Sequence, residues 1–235
     1  MVEQAKLKLD LVGKLVNHTD YRSMIGSLMY VTSSRPDIMF STCMRARYQE
    51  NPNEHHVLAI KRIFHYLKET INLGLWYLKD SGFDLTAYSD ADHAGCHLDQ
   101  KSTSGSVQFL DDKLVCWSSK KQDCVFISTA ESKHVTVSSC YAQVLWMRTQ
   151  LTDYGFFYDK VSIYCDSKSV ISISCNPVQH THTKHIDVRG SVFTMIENFQ
   201  KSNFLLHTML VRMMKNRKER FVRQKQKERI EKSYT

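Results

Sequence analysis

The sequence predicts an α/β fold: a mixed sheet flanked by helices, preceded by a small helical subdomain. Three observations lead there. Apolar residues recur at helical spacing from residue 20 to residue 70. From Phe83 to Lys120 the pattern changes to short apolar runs separated by turn residues. Hairpins then give way to a helix–strand–helix order, and that succession builds a mixed sheet with helices on it.

The helical part comes first. Tyr21, Met24, Ile25, Leu28, Met29 and Thr32 lie three and four residues apart and mark one face of a helix. Pro36 suits the first turn of a second helix, where its missing N–H leaves no bond unmade, and Ile38, Met39 and Cys43 are expected to face inward. A third helix follows Pro52, with Val57, Ile60, Ile63, Phe64 and Leu67 as its apolar stripe.

Beyond the turn signal Lys79-Asp80-Ser81-Gly82, three strands are expected at Leu85–Ser89, Ser106–Leu110 and Leu114–Ser118. Asp111-Asp112-Lys113 makes a tight hairpin connection between the last two. Ser128 or Thr129 begins a long helix that runs to about Leu151, since either hydroxyl can satisfy an open N–H of the first turn. Asp153-Tyr154-Gly155 ends it. Val161–Cys165 reads as a fourth strand, Ser167–Ser174 as a short helix, Ile186–Phe199 as a final helix and Asn203–Met209 as a last strand.

Charge is unevenly placed. The net charge is +8, yet residues 211–235 alone carry 10 Lys/Arg against 3 Asp/Glu, so the body is nearly neutral. Phosphate attraction is therefore an argument for the tail more than for the folded part, and a solvated charged helix is the plainer reading of that tail. The cysteine count of 7 is odd and no Cys-x-x-Cys occurs, which excludes a disulfide framework and a zinc-ribbon type of site. Reduced thiols in the cytoplasm or nucleus are expected. Neither a signal peptide nor a membrane span is expected, for want of a long apolar run.

Four carboxylates fall at informative places. Asp90 closes the first strand, Glu131 lies in the first turn of the long helix, Asp166 closes the fourth strand and Asp187 opens the final helix. Strand ends and helix starts gather at one edge of an α/β sheet, where such folds bind ligands. Hard oxygen donors suit Mg²⁺, and two such ions can activate a water and stabilise a departing phosphodiester oxygen. Singly, each acid has a structural reading: Asp serves turns, and Glu at a helix start complements the macrodipole.

The words around these acids carry a resemblance. Residues 88–96 read YSDADHAGC, 102–106 STSGS, 117–121 WSSKK, 128–131 STAE, 143–155 QVLWMRTQLTDYG, 164–171 YCDSKSVI and 177–189 PVQHTHTKHIDVR. Together they resemble the ribonuclease H region of copia-type retrotransposon polyproteins. Upstream, YRSMIGSLMYVTSSRPD at 21–37 and AIKRIFHYLKETINLGLW at 59–76 are similar to the thumb and connection at the end of that family's reverse transcriptase. The organisation implied is an N-terminal segment (1–19), a thumb/connection remnant (20–80), a ribonuclease H-like domain with a five-stranded mixed sheet (81–209) and a basic tail (210–235).

By that resemblance Asp90, Glu131, Asp166 and Asp187 are the catalytic acids and ligands of two Mg²⁺ ions, with Mn²⁺ able to substitute. No other cofactor is implied. The implied reaction is hydrolysis of the RNA strand of an RNA–DNA hybrid, recognised by backbone shape and 2′-hydroxyls. Asp92 ranks as a neighbour of the site. His182 or His185 is a candidate proton shuttle. Zinc ligation by His180, His182 and His185 is disfavoured because no fourth ligand is apparent. Polymerase activity is not expected, since no Tyr-x-Asp-Asp and nothing like fingers or palm is present.

The sequence also departs from the family pattern. After Glu131 the usual Ala-Glu-Tyr is Ser132-Lys133-His134, and Lys133 is expected to pair with a carboxylate or face solvent. Gly190-Ser191 replaces a Tyr-His pair, at a cost of ~1 kcal/mol for Gly inside a helix. The family's closing segment is replaced by a Met-rich and then basic tail. These departures motivate a second expectation, an inactive retroelement relic that binds nucleic acid or has no activity.

Overall fold

The computed structural model describes residues 14, 16–77, 79 and 82–175, together with the backbone of 199–200. These fall into two compact units, one within Met1–Tyr77 and one within Leu78–Leu206.

The first unit is helical. Helix α1 (His18–Thr32) starts at Asn17, whose side chain accepts from the Thr19 N–H at 2.9 Å. Its buried residues are Tyr21, Ile25, Leu28 and Thr32, one stripe of the helix. Met29, expected on that stripe, is 53% exposed, because the buried face is narrower than the run of apolar residues. Pro36–Ile38 forms a separate 3-10 turn rather than the first turn of a longer helix, and α2 (Met39–Ala46) follows it. Helix α3 (Glu54–Glu69) opens with a reciprocal cap: Asn53 Oδ1 accepts from the His56 N–H, and His56 Nδ1 accepts from the Asn53 N–H. Ile60 and Ile63 bury as expected, whereas Phe64 is on the rim at 39% exposure.

Tyr21, Ile25, Leu28, Ile38, Tyr48, Ile60 and Ile63 form this unit's core. Beside it sits a buried ion pair. Arg35 clasps Asp37 with two bonds, Nε to Oδ1 at 2.9 Å and Nη2 to Oδ2 at 2.7 Å. Arg35 also donates to Thr70 O and Thr70 Oγ1, and the Tyr66 hydroxyl donates to Asp37 Oδ2. The arginine thus ties the loop after α1 to the end of α3. Burial and this bond to Asp37 push the Tyr66 hydroxyl up to about 12.

The second unit carries the sheet. Strands β1 (Leu85–Asp92), β2 (Thr103–Leu110) and β3 (Lys113–Lys121) form an antiparallel meander. Helix α4 (Thr129–Asp153) crosses over to β4 (Ser162–Cys165), which lies parallel to β1. Helix α5 (Lys168–Cys175) follows, and β5 (Phe199–Gln200) pairs parallel to β4. The order is β3-β2-β1-β4-β5. This is the five-stranded mixed sheet expected of a ribonuclease H-like domain.

The strands are longer than the apolar pattern indicated. Strand β1 runs past Ser89 to Asp92, so Asp90 pairs with Gly105 instead of closing the strand. Strands β2 and β3 take in the polar stretches TSGS at 103–106 and SSKK at 118–121, joined by a Ser106–Ser118 hydroxyl bond at 2.9 Å. Backbone ladders hold such residues, and hydrophobic alternation does not reveal them. The final helix was expected to include Phe199, but that residue pairs with Ile163 as part of β5. The last strand expected at Asn203–Met209 lies outside the described residues.

The core under α4 joins Leu85 and Ala87 of β1 and Ile163 and Cys165 of β4 to Val137, Cys140, Tyr141 and Val144 of the helix. Gly155 ends the helix with φ +84, a value that favours glycine, and the Phe156 N–H returns to Leu151 O at 3.0 Å. No helix among the described residues is long and apolar enough to cross a membrane.

Removing one partner of the enclosed Arg35–Asp37 pair leaves the other charge uncompensated. Asp37→Ala is expected to cost the helical unit about 3–5 kcal/mol, read as a lower urea midpoint by circular dichroism. A cost below ~1 kcal/mol would mean the pair is solvated.

Candidate functional site

The register of two parallel strands positions the acids. Ser89 of β1 is level with Cys165 of β4, the last matched residues of that pair. Asp90 and Asp166 each come one residue later, so they emerge side by side. One step earlier on the same face, Tyr88 and Tyr164 stack with ring centroids 4.8 Å apart. The sheet thus sets two carboxylates together above an aromatic pair.

Lys133 of α4 answers them. Its Nζ lies 3.2 Å from Asp90 Oδ1 and 2.5 Å from Asp166 Oδ1, with the lysine side chain only 17% exposed. Burial pushes the Asp90 carboxyl above its ordinary value, Lys133 opposes the rise and Asp166 adds to it. Burial would depress the Lys133 ammonium, but its bond to Asp166 and the charges of both acids outweigh that and hold it above its usual value.

Glu131 does something else. Its Oε2 accepts from the backbone N–H of Ile127 at 3.1 Å and of Ser128 at 3.3 Å, while Ser128 Oγ accepts from the Glu131 N–H at 3.2 Å. This is a capping box, and it explains why STAE starts a helix. Glu131 also lines a cleft of about 940 Å³ with Ser104, Lys120, Gln122 and His134; Asp90, Lys133 and Asp166 are not on that wall. Residues 131 and 133 differ by roughly 200° around the helix axis. Only one of them can turn toward the acid pair, and it is Lys133.

A second contact fixes which one. Gln122, 6% exposed just past β3, donates through Nε2 to Ser104 Oγ at 2.9 Å, Ser132 O at 2.8 Å and Thr136 Oγ1 at 3.1 Å. The start of α4 is thereby latched to β2 and cannot rotate freely.

Of the four expected acids, Asp90 and Asp166 are brought together, and Glu131 is engaged at its cap. Asp187 lies outside the described residues, as do His180, His182 and His185. Asp92 is exposed, with its carboxylate against Gly95. Lys133 is the site residue to which the sequence assigned no definite place. Its signal was the departure from the family word just after Glu131. The described donors do not fit a divalent ion: an ammonium stands between the two adjacent acids, and no group of three or more His, Cys, Asp or Glu among the described residues could hold a metal.

Two predictions follow from these contacts. Lys133→Met leaves two partly buried carboxylates facing each other and is expected to cost about 1–3 kcal/mol at neutral pH. The lysine's folded pKa is raised, so its contribution is complete below about 10.5 and is lost as pH rises through the folded value. The Asp90 pKa is also raised, so acid favours the folded state as pH falls through its folded value. The gap between wild type and Lys133→Met should therefore be widest near neutrality and close on both sides. Melting curves from pH 4 to 11 check it, and a gap independent of pH refutes it. Ser128→Ala is expected to cost about 1 kcal/mol through loss of the cap, measured by denaturant titration.

Comparison with known proteins gives the chain its relatives. No protein-family model matches it. It is 36% identical over 189 residues to the retrovirus-related Pol polyprotein from transposon RE1 of Arabidopsis thaliana, a match covering 80% of this chain and 13% of that protein. It is 37% identical over 172 residues to the polyprotein from transposon TNT 1-94 of Nicotiana tabacum, covering 72% of this chain and 13% of that one. The chain therefore spans about an eighth of the polyproteins it matches. Among solved structures it is similar to RNase H1 from Halobacterium salinarum at 15% identity, covering 53% of this chain and 88% of that one, with a TM-score of 0.32, too loose a likeness to define the fold. With sequence identity of this extent and strength, the chain belongs to the retrovirus-related Pol polyproteins of copia-type transposons.

Proposed function

We propose that this chain is a retroelement ribonuclease H-like fragment in which hydrolysis of RNA–DNA hybrids is silenced, leaving a domain that contacts nucleic acid through basic side chains. The observation that carries this reading is the Lys133 ammonium between Asp90 and Asp166. Two-metal hydrolysis requires those carboxylates to be open to hard cations. Here a tethered ammonium already stands against both of them and offsets one of their two charges. Contact with a phosphate backbone is supported by Lys120 beside the cleft at the end of β3 and by the surplus of Lys and Arg in residues 211–235. An intracellular, reducing location, cytoplasmic or nuclear, goes with this reading.

The adjacency of Asp90 and Asp166 favours a second reading, in which Asp187 joins them, Lys133 gives way, and the RNA strand is cut with Mg²⁺ or Mn²⁺. One assay separates the two. Purified chain is incubated with a labelled RNA–DNA hybrid and either ion. The expected outcome is an intact hybrid, with binding that falls steeply as salt rises and survives Asp90→Asn. Cleavage that disappears in Asp90→Asn would overturn the first reading and establish the second.

A further inference from the structure

The reciprocal cap of α3 is built on an imidazole, where such caps ordinarily have a carboxylate or a carboxamide. A backbone N–H can only donate. The Nδ1 atom that receives the Asn53 N–H at 3.1 Å is therefore unprotonated, and the ring proton sits on Nε2. A second proton would turn Nδ1 into a donor and set two N–H groups against each other. The turn closed by this bond also holds another part of the chain. The Val16 N–H donates to Pro52 O at 3.4 Å, and the Glu54 N–H donates to Lys14 O at 3.3 Å. We infer that His56 is a proton-operated clasp: the neutral ring closes the turn at 52–54 against Lys14 and Val16, and uptake of one proton releases both.

The surroundings favour the neutral ring. His56 is 2% exposed and Asn53 is 5% exposed, so water does not replace the bond when it breaks. The ring stacks on Tyr48, just after α2, with centroids 4.0 Å apart, and meets the edge of Tyr21 of α1 at 6.5 Å. A cation over the Tyr48 ring gains some attraction, but it forfeits the cap and its hydration, which weigh more. Arg45 of α2 sets its charge beside both tyrosines, with Arg62 of α3 acting on it in turn. Positive neighbours disfavour a further positive charge. On α3 itself Glu54 and His55 flank the cap and are exposed, where solvent screens them. The clasp lies in the helical unit and does not depend on how the acid pair is read.

Two measurements on the full chain test it: nitrogen-15 spectra of the histidine rings, and hydrogen exchange of the Val16, Asn53 and Glu54 amides. At pH 7.5 the His56 ring is expected as the tautomer protonated on Nε2. His56→Gln keeps an acceptor at this position that does not titrate. The opened turn takes up a proton below the ordinary imidazole value of ~6.5 and the closed one does not, so protection is complete above that value and lost as pH falls. Relative to His56→Gln at the same pH, wild-type protection of the three amides is expected to hold from pH 7 to 8 and to fall by up to about 30-fold at pH 5. His56→Ala removes the acceptor and should be poorly protected at both ends of the range. A ratio of wild type to His56→Gln that is the same at pH 5 and pH 7.5 would overturn the inference. So would a His56 ring carrying its proton on Nδ1 at pH 7.5, a result that needs no variant to fold.

Discussion

Two carboxylates that emerge level with each other from adjacent parallel strands must be answered by positive charge. The β1–β4 register creates that demand, because Asp90 and Asp166 each follow the last matched pair of the two strands. Leaving them half-buried and unanswered would oppose folding of this edge, since a charge taken from water without a partner is costly. Lys133 meets the demand from within the chain. Its ammonium is held charged by the two acids it pairs with.

That arrangement depends in turn on how α4 begins. A 25-residue helix has many rotations available to it, and its apolar face alone would tolerate small ones. The start of the helix is tied more tightly than its middle. Ser128 and Glu131 satisfy each other's backbone donors, and the Gln122 amide reaches from the end of β3 to two groups on the first turns. With both ends of that latch in place, residue 131 is committed to the cap and residue 133 to the acid pair. The same word, STAE, that marks the start of the helix thus removes its own glutamate from the pair.

The helical unit uses a comparable device for a structural end. Arg35 and Asp37 are enclosed, joined by two parallel bonds, and completed by Tyr66 and Thr70. An enclosed pair of this kind is weak evidence of added stability, but it penalises any other arrangement of the loop and helix that share it. Among the described residues charge joins elements at two places: a loop to a helix in one unit, and the start of α4 to a sheet edge in the other.

The sequence by itself determined the order of elements from α1 to α5, most of each helix stripe, the hairpin between β2 and β3 and a cap at Ser128 or Thr129, because these follow from periodicity and from residue chemistry acting over a few positions. It also placed Asp90 and Asp166 at one edge of the sheet, together with Glu131 and Asp187; that the first two stand side by side follows from the parallel pairing of β1 and β4, which the structure supplies. Strand lengths escaped it where the paired residues were serines and lysines, whose backbone bonds leave no apolar signature. The exposure of Phe64 and Met29 escaped it as well, because the width of a buried stripe depends on the neighbouring helices. Only the tertiary structure decided between Glu131 and Lys133. They lie two residues apart in the chain and on nearly opposite sides of the helix, and the choice rests on a glutamine just past β3 that sets the helix rotation.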